Sequence, residues 1–314
     1  MELKGLHHLT AISARIRDNH RFYTQALGMH LVKRSVNQDD VSSWHLFYAD
    51  ATGSPGSDIT FFDWPVLSET RGNRSISRTA LRLSGPESFD YWVRRFDELN
   101  VVHGPVVERD GRLTLDFEDP EGQRLQFVDD GALAGGTPWD KSPVPTVHQI
   151  RGLGPVHLSV PELAPTHGVL ERIGLKEVRT YPHPEQARDQ VYVYEMGPGG
   201  AGAEVHVAVQ PSLPQARQGA GGVHHVAFRI PDDDYDAWAD NLNSWGIRNS
   251  GKVDRHWFRS LYFREPNGIL FEIATEGPGF GVDEDPNTLG EHIVLAPFLE
   301  PQRAQIEANL KPID

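Results

Sequence analysis

The chain contains no cysteine. That removes disulfides, thiolate nucleophiles, zinc ribbons and cysteine-ligated iron–sulfur clusters together. Any metal must therefore sit on His, Asp, Glu or other oxygen ligands. Basic residues are scarce: 30 Lys and Arg stand against 44 Asp and Glu, a net charge of −14. That balance speaks against a nucleic-acid backbone as partner. No apolar run approaches about 18 residues and no basic-then-apolar leader opens the sequence, so the expectation is a cytoplasmic chain with no membrane partner. Aromatics are not lacking. With 7 Trp, 8 Tyr and 14 Phe, the 314 residues have bulk enough for two folded regions of ordinary size. Histidine is in surplus, 15 residues unevenly placed.

A pattern recurs four times: a strand, an amphipathic helix, then strands that end after a Gly- or Pro-containing turn. The units span about 5–64, 75–130, 151–210 and 221–276. In the first, Asp18 is expected to cap a helix carrying Phe22, Tyr23, Ala26 and Leu27, with Gly28 closing it. In the second, Phe89, Trp92, Val93, Phe96 and Leu99 recur every three or four residues, one buried helix face. Helices around Val169–Ile173 and from Tyr235 to Gly246 complete the set. A module of one helix and about four strands leaves one sheet face apolar and needs a partner to cover it. The expected class is thus α+β, with four βαβββ modules forming two curved mixed sheets, each with a hollow. Residues 1–135 form an N-terminal region and 150–276 a C-terminal one, joined by the Pro-rich linker Gly135–Pro145. Residues 277–314 form a tail with a short helix from Pro301 to about Leu310.

The sharpest local signal is the doublet His7-His8, which returns as His224-His225 in the first strand of the fourth module. Successive strand residues face opposite sides, so one histidine of each pair points into the hollow. Thr10 shares a face with His8, and Ala227 with His225; small or hydroxylic neighbours leave room for a substrate, which makes Thr10 a candidate contact. Leu9 and Val226 belong to a packed layer and place His7 and His224 on the other side. Glu272 stands in an otherwise apolar strand, Ile269 to Ala274, where a carboxylate is costly unless paired or bound to a cation. Two imidazoles and a carboxylate make a facial triad suited to non-haem Fe(II). His157 holds the same first-strand position in module three, so a set of His157, His225 and Glu272 is equally open if modules three and four pair. The matching doublets favour pairing of modules one and four. Gln126 and His157 read as a decayed counterpart site.

The four-module plan resembles the vicinal-oxygen-chelate superfamily of glyoxalases, bleomycin-resistance proteins and extradiol dioxygenases. Gly5 to Ile12, Leu31 to Arg34, His45 to Tyr48, Gly53 to Gly56, Arg259 to Gly268 and Phe271 to Thr275 resemble the hydroquinone-type ring-cleaving dioxygenases. The resemblance implies Fe(II) on His8, His225 and Glu272, with Mn, Zn or Ni compatible with the same donors in a purified sample. It also implies pairing of module one with four and of two with three, with a small aromatic diol and O₂ as partners. Arg255 and Tyr262 fall on the family's substrate-site arginine and tyrosine, and His7 and His224 near the pocket, against the alternation argument. On that footing Arg255 holds a developing anion, and Tyr262 or a histidine beside the ligands moves a proton. The fold leaves room for self-association.

Two other readings compete. A glyoxalase-type lyase or isomerase adds a second carboxylate ligand, for which Thr60-Phe61-Phe62-Asp63 offers no glutamate. A protein that sequesters an aromatic compound needs no triad. His183 reads as a loop residue, while His45, His206 and His256 lie in strand-like segments without a partner motif. Asp232 to Asp234 open a helix rather than bind calcium, and Gly199 to Gly202 lack the lysine of a phosphate loop.

Overall fold

A computed structural model describes every residue except Ala132, Ala134 and Asp314. Each module opens with a buried strand, crosses over through a helix, and returns by an antiparallel meander. In the first module β1 (Leu6–Ser13) leads into α1 (Ile16–Arg21), followed by β2 (His30–Asn37), β3 (Asp40–Ala49) and β4 (Asp58–Asp63). The second contains β5 (Ser75–Leu83), α2 (Pro86–Leu99), β6 (His103–Arg109), β7 (Arg112–Glu118) and β8 (Arg124–Asp129). The third contains β9 (Leu153–Val160), α3 (Ala164–Arg172), β10 (Lys176–His183), β11 (Gln186–Glu195) and β12 (Glu204–Val209). The fourth contains β13 (Val223–Ile230), α4 (Tyr235–Ser244), β14 (Val253–Asp254), β15 (Arg259–Arg264) and β16 (Leu270–Thr275). The class is α+β with two curved mixed sheets.

Sheet order shows how the modules combine. One eight-stranded sheet runs β14-β15-β16-β13-β1-β4-β3-β2 and the other β10-β11-β12-β9-β5-β8-β7-β6. Modules one and four therefore share a sheet, and so do modules two and three. In each sheet the two central strands are antiparallel, β1 against β13 and β5 against β9, while each module's first and last strands run parallel. The connecting segments between modules run side by side, with bridges from Ser68 to Ala220 and from Thr70 to Arg217.

Local sequence explains the helices. Pro86 occupies the first turn of α2, where its missing N–H costs nothing, and Asn100 ends the helix in the left-handed conformation at φ 55°. Phe89, Trp92 and Phe96 bury its inner face. The first helix departs from expectation. Asp18 lies inside its first turn rather than at the cap, and α1 continues as a π-helical turn over Phe22–Ala26. That wider turn seats Tyr23 against Tyr48 and Phe61, with ring centroids 5.2 and 4.6 Å away. Leu9, Ala11, Ile59 and Phe61 face this helical layer and join one core that extends through both sheets. Alternation sends His8, Thr10 and Thr60 to the opposite face.

The tail closes over the first module. Its helix α5 (Arg303–Asn309) is shorter than expected and is preceded by a 3₁₀ turn at Glu300–Gln302. Lys33, fully buried in β2, is 2.7 Å from Asp283, pairs with Glu284, and donates to the Phe280 carbonyl at 3.1 Å. Gly290 passes so close to β2 that a Cβ there would lie 1.7 Å from the Leu31 oxygen. The linker also packs: Trp139 stacks on His30 at 4.6 Å, and the Ser142 hydroxyl donates to the Gly28 carbonyl. No helix among the described residues is long and apolar enough to cross a membrane.

Candidate metal centre

His8 on β1, His225 on β13 and Glu272 on β16 meet at one point on the hollow face of the first sheet. His8 Nε2 lies 3.3 Å from His225 Nε2 and 3.2 Å from Glu272 Oε2, and His225 Nε2 lies 2.9 Å from the same oxygen. The three side chains are 3, 5 and 0% exposed. Three donors held about 2.1 Å from one ion at right angles stand about 3.0 Å apart, against about 3.4 Å in a tetrahedron. The observed spacings lie closer, on average, to the right-angled set. His157 is not part of this group; it lies in the other sheet beside His206.

The hydrogen bonds behind the imidazoles explain their orientation. The register between β1 and β13 shifts once between Leu6 and Leu9, and again between Thr10 and Ala11. The first shift puts an extra residue in β1 at its His-His doublet, and the second puts one in β13 at the other. A regular strand would set neighbouring rings on opposite faces, whereas a bulge re-aims them. His7 Nδ1 thereby reaches His8 Nδ1 at 2.9 Å, and His224 Nδ1 reaches His225 Nδ1 at 2.8 Å. His7 Nε2 lies 3.0 Å from the Thr275 carbonyl, which only accepts, so the His7 proton resides on Nε2. Burial, with the adjacent His8, lowers the His7 pKa to about 3, so the ring is neutral and its Nδ1 accepts. His8 must then donate from Nδ1, which turns its Nε2 toward Glu272. Neither His7 nor His224 lines the cavity; each backs a histidine that does.

Glu272 is anchored from one side only. The Ser260 hydroxyl donates to Oε1, while Oε2 is buried with no hydrogen-bond partner. Burial alone would raise the carboxyl pKa, but His8 and His225 outweigh it and hold the group well below the usual carboxylate range. His225 is pulled the other way: burial lowers it despite Glu272. Three donor atoms converging on one buried spot are complementary to a divalent cation, which would take the place of the protons between them. The residues present fit a divalent metal.

Around this point lies a cavity of about 30 Å³, room for about one or two waters. Phe47, Phe62, Trp257 and Phe258 form its apolar wall. Thr10 and Tyr262 both line it. Arg255 donates to the Tyr262 hydroxyl at 3.1 Å, lies 5.2 Å over its ring, and pairs with the exposed Asp39 at 2.8 Å. Burial first, then the Glu272 charge, raises the Tyr262 pKa, so the phenol keeps its proton. His45 is the lining residue that sequence reasoning undervalued. Its Nε2 meets Thr60 Oγ1 at 3.0 Å, and Thr60 meets Thr10 Oγ1 at 2.8 Å. Burial, reinforced by His8 and His225, pushes its pKa well below 6.5. The signal was present in Trp44-His45-Leu46-Phe47, where His45 shares a face with Phe47. Thr60 occupies in β4 the place that Glu272 occupies in β16, so the glyoxalase-type second carboxylate is a hydroxyl here.

Other expectations shift. His183 ends strand β10 rather than lying in a loop, and His256 sits in a turn at φ 72° rather than a strand. Gln126, His157, His183 and His206 all line a second hollow in the other sheet.

Comparison with known proteins agrees with this architecture. The model of the Glyoxalase/Bleomycin resistance protein/Dioxygenase superfamily matches residues 5–127 and 155–273. MhqA of Bacillus subtilis strain 168, named as a candidate ring-cleaving dioxygenase, is 46% identical over 317 residues, covering 100% of both chains. The chlorohydroquinone/hydroquinone 1,2-dioxygenase of Sphingobium indicum is 29% identical over 308 residues, covering 95% of this chain and 93% of its own. The crystal structure of a candidate dioxygenase from Bacillus subtilis superposes with a TM-score of 0.90 at 33% identity, over 100% of this chain and 98% of that one. With the match extending through all four modules, the chain belongs to the glyoxalase/bleomycin resistance protein/dioxygenase superfamily, alongside its ring-cleaving dioxygenases.

Proposed function

We propose that the protein is an Fe(II)-dependent dioxygenase that opens the ring of a hydroquinone or catechol-like diol with O₂. The observation that carries this is the buried meeting of the His8 and His225 nitrogens with Glu272 Oε2, an oxygen with no other partner. The names of the full-length relatives support the reaction class, and the Sphingobium relative's name supports a hydroquinone-type ring. Ferrous iron held by His8, His225 and Glu272 would supply an electrophilic, redox-active centre.

The chain's own residues do the rest. His7 fixes the tautomer of His8, and His224 abuts His225 in the same way, so the ligand nitrogens are held before any cation arrives. Phe47, Phe62, Trp257 and Phe258 would flank a flat ring and exclude water once the hollow widens from its present size of about one or two waters. Neutral His45 can take a hydroxyl proton at its Nδ1 while Nε2 stays on the Thr60–Thr10 hydroxyl pair. Tyr262 keeps a phenol proton that it can donate, and Arg255 steadies that hydroxyl and offers a fixed positive charge to a phenolate oxygen or a nascent carboxylate. Anaerobic loading with Fe(II), followed by oxygen-electrode assays on a panel of hydroquinones and catechols, tests the proposal. Oxygen uptake with at least one ring diol is expected. Stoichiometric Fe(II) with no uptake on any of them overturns the reading.

A further inference from the structure

The second sheet has a hollow at the equivalent place, and register fixes the correspondence. In the first sheet Thr10 faces Thr60 and Ala227 faces Glu272; in the second Ala80 faces Gln126 and His157 faces His206. The central strands β5 and β9 carry register shifts at the matching points, between Ile76 and Arg78 and between Thr79 and Leu81. Two residues back along each central strand, Arg78 takes the place of His8 and Pro155 that of His225. The three metal positions have thus become a guanidinium, a proline ring and the His206 imidazole. This is not a cation site.

The second cavity is about 230 Å³, against about 30 Å³ for the first. Five arginines line it, with only Asp110 and Glu185 as acids, in a chain whose net charge is −14. Asp110, Glu204 and His206 do approach one another within 4.8 Å, but their atoms are taken. Arg112 grips both Glu204 oxygens at 2.7 and 2.8 Å, and His206 Nε2 adds a contact at 2.8 Å. Arg179 binds both Asp110 oxygens at 2.6–3.0 Å. What remains unmatched is the buried donor Arg78 Nε, together with the buried His157 Nε2, which donates in the tautomer that carries its proton there; neither has a hydrogen-bond partner. Asp116 bridges Arg109 at 2.5 Å and Arg78 at 3.6 Å without lining the cavity, and Glu185, 61% exposed, meets Arg78 at the mouth. Burial first, then the charges of Arg71 and Arg78, pull Arg124 below its usual range against the pull of Glu69, while Arg71 pairs with Glu118 at 2.9 Å. Tyr181, Pro155 and Leu213 add flat apolar wall.

We propose that this second hollow binds an organic carboxylate of single-ring size, its oxygens on Arg78 and His157 Nε2 and its body against Tyr181 and Pro155. An aromatic acid and a ring-opened unsaturated acid share that chemistry. Calorimetric titration of the metal-loaded protein with benzoate, with cis,cis-muconate and with inorganic phosphate tests the site without reading turnover. One carboxylate per chain is expected, with affinity falling about tenfold or more in Arg78→Gln and unchanged in the metal-depleted His8→Ala. Either carboxylate binding in this way supports the site, and the tighter one identifies the source. Unchanged affinity in Arg78→Gln, loss in His8→Ala instead, or binding of phosphate alone overturns the proposal. Should Arg78→Gln fail to fold, the ¹⁵N resonance of His157 Nε2 in the unmodified protein decides. It should move in step with saturation, and a resonance that stays put while benzoate binds also overturns it.

Discussion

Replacing Glu272 by Gln should make the metal-free protein less stable and the metal response disappear. The carboxylate is 0% exposed and receives one hydroxyl, from Ser260. Taking a carboxylate out of water costs several kcal/mol even after relaxation, while a hydrogen bond to a charged group returns about 1.5–3 kcal/mol. The His8 and His225 nitrogens stand at hydrogen-bond distance from its other oxygen and outweigh that cost, holding the carboxyl well below its usual range, so the charge stabilises the metal-free fold. Glu272→Gln breaks this buried pairing, and a loss of about 3 kcal/mol follows for the apo variant, a fall of several degrees in Tm at about 2–4 °C per kcal/mol. The unmodified protein should instead gain on binding metal, about 2.7 kcal/mol at a hundredfold excess over Kd. Thermal unfolding under argon, with chelator and then with Fe(II) or Mn(II), reads both effects. The gap between the two proteins should widen on metal addition. An apo variant as stable as the parent, or one that still gains the full metal shift, would refute the argument that the Glu272 charge serves both the fold and a cation.

Three further outcomes follow from the same geometry. His8→Ala removes one of three ligand atoms and should abolish turnover and most metal occupancy, because losses behind the ligands alone cost tenfold or more; His157→Ala should leave metal content and turnover within about twofold, as measured by elemental analysis and oxygen uptake. Lys33→Met leaves Asp283 and Glu284 without their buried cation and should cost about 3 kcal/mol, with limited proteolysis cutting first in the tail between residues 277 and 299. The Asp119 carboxyl is raised by burial to about 6, against 3.8 unshifted. The fold therefore binds that proton more tightly than the unfolded chain, and the penalty grows as pH rises from about 4 to 6 and stays above it. Asp119→Asn, which cannot ionise, should gain about 2 kcal/mol on the parent between pH 4.5 and 7.5 in urea unfolding, and a flat difference would rule this out.

Much of this was legible in the residues because strands and helices write their periods into the chain. The module order, the inward faces of His8 and His225 and the isolated Glu272 follow from alternation and from the cost of a buried charge. The bulges do not. Whether an extra residue at His7-His8 is absorbed depends on the opposing strand, here β13, more than two hundred positions away, and only the pair shows that both doublets are bulged. Alternation and family resemblance disagreed about His7 and His224 for that reason: the rings avoid the cavity yet touch the residues that line it. His45 was undervalued because a lone strand histidine has no local partner, and Thr60 becomes its neighbour only when β3 pairs with β4. The role of Lys33 was invisible for the same reason, its acids lying some 250 residues downstream.

The two hollows show how little of the scaffold decides the chemistry. Both sheets use the same strand order and matching register shifts at the central pair. One places two imidazoles and a carboxylate at the convergence point, and the other places a guanidinium and a proline. Desolvation acts on both, with opposite results. In the first, a buried carboxylate between two imidazoles is complementary to a cation. In the second, a buried guanidinium N–H calls for an anion, and the acids Glu204 and Asp110 are held by Arg112 and Arg179. Converting one hollow into the other would thus require more than grafting three ligands. Arg78 and Arg109 would repel a divalent ion at close range, and Asp116, which now bridges those two arginines, would keep only the Gln126 amide as partner if they were removed. The charge of the whole hollow, not the triad alone, is what separates them.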